Sequence, residues 1–398
     1  MSIRIVAIDK LKCEKELELK EVFEKMGEIL RVGGVKEPII VDSRFNVVDN
    51  IELYEALRRL GVKLVPISQK KASLYLSLES LGFYDEIYPE PLRVFKSTLE
   101  LLYRNWPTPL VLLRSLSTDE RRVWAKLEGF NPFSGSVKDR IGWFMFINAM
   151  KKFGGTYKKF VYEATSTNTG MALAAMAAMH GFKARFYLPI TIQKASDVLL
   201  KVIGADIVRV PKQLTVEFID DVERNAKRDK ALHLNQFEND ANFEAHLRYT
   251  AKELELQIRE AKIYPAAIIG GIGTSGHMSA IAFYFKNRFR ENIEIYGVQP
   301  AKDHSIPGIR RVKTGMKWIH WVKFNGVVDI KGDEAIREAI NIARKEGILI
   351  GLSSGAVVSG FKKLSREGKL DRGDVILIFP DHGFKYVEQF REYLQKHE

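Results

Sequence analysis

The sequence predicts an α/β protein: parallel sheets covered by helices, preceded by a smaller α/β unit. Three observations carry this. From Val123 onward, short apolar runs alternate with stretches of helical length and helical spacing. The glycine- and hydroxyl-rich turns follow several of those runs, at the strand ends where α/β sheets gather ligands. Between residues 88 and 109, Pro89, Pro91, Pro107 and Pro109 mark a linker, dividing the chain into residues 1–95 and 96–398.

In the first unit, residues 3–8 read as a strand and 17–30 as a helix stopped by Gly33 and Gly34. Residues 38–41 form a short strand, 51–60 a helix ending at Gly61, and 64–67 another strand. In the second unit, strands are expected at 123–127, 160–164, 184–188, 206–209, 267–269, 295–298 and 375–379. Helices are expected at 138–153, 170–180, 193–203, 216–228, 241–261, 278–285 and 334–346. Ser353 is expected to follow an apolar strand and to open a small-residue helix. There is no internal repeat or low-complexity tract.

At 398 residues, 46% hydrophobic and 28% charged, the chain has the composition of a globular protein with a large core. No apolar run reaches membrane-spanning length and no signal-peptide pattern opens the chain. Its single cysteine, Cys13, cannot form an intrachain disulfide, so a reducing cytoplasm is the expected compartment. The net charge of +12 could suggest nucleic acid, but its distribution argues against that. Residues 1–95 carry 15 Lys and Arg against 16 Asp and Glu, so the excess lies on the segment with the glycine-rich turns. Attraction of small anionic substrates explains it at least as well.

Four segments carry chemistry. Lys138 ends the small-residue turn Asn131-Pro132-Phe133-Ser134-Gly135-Ser136-Val137 and begins an apolar helix. A lysine held there over a pocket would be desolvated, as a Schiff base or general base requires. Gly270–His277 is a glycine-rich loop between a strand and a helix. Its free backbone N–H groups and the helix dipole make an anion site, with Thr274 and Ser275 as added donors. It lacks the GKS or GKT ending of an ATP-binding loop, so a cofactor monophosphate suits it better. Thr165, Ser166, Thr167, Asn168 and Thr169 precede another small-residue helix and could hold a carboxylate, with Asn168 donating to a phenolate oxygen. Ser353 offers a neutral hydroxyl to a pyridine nitrogen, which favours elimination of a good leaving group over transamination. Each segment alone is also what a helix cap or tight turn requires. Together they supply what pyridoxal phosphate needs. No metal site is expected.

These segments resemble the fold-type II pyridoxal-phosphate enzymes, within them the cysteine synthase and cystathionine β-synthase group. The resemblance runs from about Pro107 to the C-terminus and opens on Thr108-Pro109-Leu110. It implies Lys138 as the Schiff-base lysine and Thr165, Ser166, Thr167 and Thr169 as a substrate-carboxylate loop. It also implies Asn168 at the cofactor's 3-hydroxyl, Gly273, Thr274, Ser275, Gly276 and His277 at its phosphate, and Ser353 at its nitrogen. Ser275 and His277 stand where the common bacterial loop has Gly and Thr. Three further segments look closer to the archaeal O-phosphoserine sulfhydrylases: Asn235-Gln236-Phe237-Glu238-Asn239-Asp240-Ala241-Asn242-Phe243, Ser305-Ile306-Pro307-Gly308-Ile309-Arg310-Arg311 and Pro380-Asp381-His382-Gly383-Phe384-Lys385-Tyr386. That likeness implies Gln236 and Phe237 in the substrate site and Arg310 on the substrate phosphate, a role the residues alone do not separate from Arg311 or Lys313. It implies L-cysteine synthesis from O-phosphoserine, or O-acetylserine, and sulfide in a homodimer. Cystathionine synthesis and serine or threonine dehydration are the enzyme alternatives.

Residues 1–95 faintly resemble the ParB and sulfiredoxin-like fold, whose relatives include DNA-binding proteins and a free-serine kinase. Their Asp-Gly-His-x-Arg motif reads Asp49-Asn50-Ile51-Glu52-Leu53 here. Without the His and Arg, the unit is expected to be non-catalytic, with a packing, dimerisation or site-covering role. A nucleic-acid-binding regulator is the rival outside enzymology, and the near-neutral charge of the unit weighs against it.

Overall fold

The computed structural model describes residues 3–87, 92–152, 159–289, 292–370 and 372–397. In the first unit the elements run β1 (Arg4–Ala7), α1 (Leu19–Val32), β2 (Gly34–Val35), β3 (Ile39–Val41), β4 (Val47–Asp49), α2 (Ile51–Leu60), β5 (Leu64–Ser68) and β6 (Leu76–Ser77). Strands β1-β5-β3-β4 form a mixed sheet, and β2 pairs with β6. Both helices end on a left-handed glycine, Gly33 and Gly61, as the sequence requires.

The proline-rich segment is more than a linker. It contains α3 (Thr98–Tyr103), capped by Ser97 Oγ, with Leu102 and Trp106 buried. Its stretch from 88 to 91 lies outside the described residues. The second unit then gives β7 (Leu110–Leu112), β8 (Val123–Leu127) and α4 (Lys138–Lys152). A small subdomain follows: β9 (Phe160–Ala164), α5 (Thr167–Met179), β10 (Lys183–Pro189), α6 (Ala195–Val202), β11 (Ala205–Val210), α7 (Ile219–Asp229) and β12 (Leu232–His233). Its strands lie in order β11-β10-β9-β12, all parallel.

The expected helix at 241–261 is three segments. α8 (Ala241–Ala245) passes into a π-helical turn at His246–Ala251 before α9 (Lys252–Glu260). Residue periodicity cannot reveal one extra residue per turn. The chain continues with β13 (Pro265–Gly271), α10 (Gly276–Arg288), β14 (Glu294–Pro300), β15 (Gly326–Ile330), α11 (Gly332–Glu346), α12 (Leu352–Arg366), β16 (Asp374–Phe379) and α13 (Val387–His397). The large sheet runs β15-β14-β13-β16-β8-β7, parallel except for β7. Ser353 does open a helix, α12, but no strand precedes it. Ile350 makes only a single bridge to His382, because the backbone there turns to meet the end of β16.

The core of the first unit is continuous with that of the second. Val22, Met26 and Leu30 of α1 share one apolar cluster with Ile281, Phe283 and Phe285 of α10 and Leu254 of α9. The Phe23 ring packs tilted against Phe283, ring centroids 4.1 Å apart. Polar ties reinforce this seam. Lys252 Nζ donates to the carbonyls of Leu60 at 2.5 Å and Phe83 at 2.7 Å, and Arg59 pairs with Glu244.

Candidate active site

The loop from Asn131 to Val137 is built to aim Lys138. Asp139, next in sequence, turns its carboxylate back to accept from Phe133 N at 2.7 Å, Ser134 N at 2.9 Å and Ser134 Oγ at 2.5 Å. Burial pushes that carboxyl up to about 6. Beneath it, Arg140 is fully buried between Glu128 (2.7 Å) and Glu253 (2.5 Å), and its guanidinium lies 4.5 Å from the Trp106 ring centre. Local residue pattern does not reveal this support. The adjacency of Asp139 and Arg140 to Lys138 is its only trace in the sequence.

Lys138 begins α4 and faces a cavity. Burial lowers its amine to about 8, with Asp381 pulling the other way. The structure brings Ser166, Asn168, Thr169, Gln236, Phe237, Gly273, Thr274 and Arg310 round the same cavity. Ser275 and His277 line its inner end beside Lys138. Ser353 is buried, its Oγ 3.7 Å from where a side chain on the cavity-lining Gly308 would begin.

Two predicted residues point elsewhere. Thr165 is buried, its Oγ1 donating to the Ser166 carbonyl at 2.8 Å, and Thr167 Oγ1 pairs with Ser196 Oγ at 2.6 Å. Their side chains shape the start of α5 and leave it to present Ser166, Asn168 and Thr169. Thr169 Oγ1 donates to Gln236 Oε1 at 2.8 Å, and Gln236 is held in turn by Glu163, whose carboxylate accepts from the Asn235 and Gln236 backbones.

The glycine-rich loop is tightly backed. A Cβ on Gly273 would lie 2.7 Å from the Gly308 carbonyl, so only glycine lets these two backbones meet. Ser275 takes a left-handed φ of 75° at the helix N-cap, unusual for a residue with a side chain. Thr274 Oγ1 accepts from Asn242 Nδ2 at 3.0 Å. His277 is buried, 4.8 Å from the His246 ring, and burial lowers it to about 3, so it is neutral at ordinary pH.

Arg310 and Arg311 separate cleanly. Arg311 reaches away to the Pro300 carbonyl at 2.6 Å and to Asp329 at 3.1 Å. Arg310 lines the cavity, 5.1 Å from the Phe237 ring centre, with Nε on the Gly273 carbonyl at 2.9 Å and Nη1 on Thr314 Oγ1 at 2.8 Å.

A buried lysine, a glycine-rich loop and the hydroxyl-rich start of α5 thus meet at one cavity. The family of pyridoxal-phosphate dependent enzymes matches residues 101–381. The chain belongs to that family. A cysteine synthase of Aquifex aeolicus is 32% identical over 319 residues, 77% of this chain and 94% of that protein. The solved structure of an O-ureido-L-serine synthase superposes with a TM-score of 0.67 at 25% identity, covering 75% of this chain and 95% of that one. An O-acetylserine-dependent cystathionine β-synthase from Helicobacter pylori gives 0.63 at 27% identity, covering 74% and 98%. The residues of this pyridoxal-phosphate enzyme fit the cofactor. Ser275 Oγ and His277 Nε2 are buried beside Lys138 with no hydrogen-bond partner among the described residues, an arrangement that is costly unless a polar ligand meets them.

Proposed function

We propose that this enzyme makes L-cysteine by β-replacement, taking O-phospho-L-serine, and also O-acetyl-L-serine, with sulfide. Bound at this site, the cofactor would supply an electron sink for the substrate's α-carbon. Gly273, Thr274, Ser275, Gly276 and His277 would hold its phosphate, Asn168 its ring oxygen and Ser353 its nitrogen. The substrate carboxylate would sit at the N-terminus of α5, against Ser166, Thr169 and Gln236. The Lys138 amine, brought near neutrality by burial, accepts the α-proton. The Cβ–O bond then breaks, and the leaving group departs with its electron pair. Sulfide forms the new Cβ–S bond, and Lys138 returns its proton to Cα.

The observation that carries the choice of phosphoserine is Arg310. Among the described residues it makes no ion pair, and burial lowers it to about 10 while it borders the cavity. A desolvated guanidinium of this kind matches a phosphate dianion far better than a neutral acetyl ester. The test is the visible absorption of the loaded enzyme on adding each substrate, then sulfide. Both substrates are expected to change the band and sulfide to restore it. Arg310→Ala is expected to abolish the phosphoserine response and spare the acetylserine response. Loss of both would assign Arg310 to bracing the Gly273 carbonyl instead. The family resemblance also supports a homodimer, which sedimentation would test.

A further inference from the structure

Asp381 ends the turn after β16, and three parts of the site meet on it. Its neighbours pair with the loop that carries Lys138, Val137 N donating to the Pro380 carbonyl at 2.8 Å and His382 N to the Gly135 carbonyl at 3.1 Å. Its own carbonyl accepts from Gly351 N at 3.0 Å, one residue before α12 and two before Ser353. Its side chain crosses to the small subdomain, where Asn168 Nδ2 donates to Oδ2 at 2.9 Å. The Tyr386 hydroxyl donates to the same oxygen at 2.5 Å, and the Lys385 ammonium lies 3.8 Å away. The carboxylate is 3% exposed. Room for it is made by a glycine, since a Cβ on Gly351 would fall 1.9 Å from Oδ1.

We infer that Asp381 is a positioning residue: its carboxylate fixes the Asn168 amide so that the second Nδ2 hydrogen serves the cofactor's ring oxygen. A carboxylate is an acceptor only, so the side of the Asn168 amide that faces it must be the NH2 group. That choice leaves one N–H of the same nitrogen for the cavity that Asn168 lines. It also aligns the small subdomain on the turn that fixes Lys138 and Ser353. The inference rests on the reading of Asn168 given above.

The experiment uses the full chain with pyridoxal phosphate as the probe. It measures cofactor affinity and the pH dependence of the visible band of the loaded protein, neither of which needs turnover. Asp381→Asn can turn either end of its amide to Asn168 and is expected to weaken cofactor binding by about tenfold or more, the scale of a charge-assisted hydrogen bond. It should move the pH midpoint of the band in the same direction as Asn168→Ala. Added to Asn168→Ala, it should change little further, because the two act through one contact. Parental affinity and band in Asp381→Asn, or additive effects in the double variant, would overturn the inference. If Asp381→Asn does not fold, Tyr386→Phe keeps the carboxylate and removes one donor. A smaller shift in the same direction supports the inference, and no shift overturns it. If Asn168→Ala alone leaves the band unchanged, the reading of Asn168 falls and this inference with it.

Discussion

At the scale of single residues, the site works by burial more than by charge pairing. The Lys138 amine is lowered to about 8 because solvent is removed from it, and Asp381 only partly opposes that. The neutral amine is the form that attacks an aldehyde, so cofactor capture by the apoprotein should follow its deprotonation. The capture rate is expected to rise with pH to a plateau with a midpoint near 8, whereas an exposed lysine would still be rising towards pH 10. Stopped-flow absorbance after mixing apoprotein with pyridoxal phosphate reads this directly. A rate still climbing well above pH 9 would show that the amine is solvated. That Lys138, the glycine-rich loop and Asn168 would meet at one cavity was legible in the sequence, because each stands at a small-residue turn opening a helix. Arg310 and Arg311 were not separable there, since adjacent positions carry no record of direction. The ion pair to Asp329 and the hydrogen bond to the Pro300 carbonyl show that Arg311 is committed elsewhere.

At the scale of elements, the β/α alternation placed most strands to within a residue or two, because fully buried parallel strands are apolar on both faces. The failures share a cause. The π turn at His246–Ala251, the single bridge to His382 in place of a strand before Ser353 and the pairing of Thr167 with Ser196 leave no mark in the local residue pattern. The same holds for the charged network under the site. Arg140 joins α4 to the turn after β8 through Glu128 and to α9 through Glu253, while Lys126 Nζ donates to Glu253 at 2.5 Å. All four side chains are fully buried. Removing the central cation would leave two buried carboxylates with one lysine between them. Arg140→Met is therefore expected to cost about 3–5 kcal/mol of stability, the scale of a broken buried pair. Arg372→Ala, which removes an exposed partner of Glu120, should change stability by less than about 0.5 kcal/mol. Urea unfolding of the two variants side by side makes the comparison. Equal small effects would mean that the network contributes nothing net.

At the scale of the whole molecule, the question is what residues 3–87 do for an enzyme whose chemistry lies elsewhere. The family match begins only at residue 101, so it is silent on them. Their packing is not. One continuous apolar cluster runs from α1 through α10, the helix that the glycine-rich loop opens. Across the seam, Lys252 is fully buried and lowered to about 7 by that burial, with its hydrogens on the Leu60 and Phe83 carbonyls. Buried Glu244 faces Arg59. A chain beginning at residue 96 would strip these groups of their partners and leave the apolar face of α10 in water. Each orphaned polar group costs on the order of 1–3 kcal/mol or more, against a total stability of about 5–15 kcal/mol. The full chain should therefore melt in one cooperative transition, with loaded cofactor and the N-terminal unit lost together. Residues 96–398 expressed alone should be insoluble or lack a cooperative transition. Calorimetry of the full chain and the visible band of the truncated one test this. Two resolved transitions, with a soluble truncated protein that still holds the cofactor, would show that residues 3–87 are an appendage and that their role must be sought in binding rather than in support of the site.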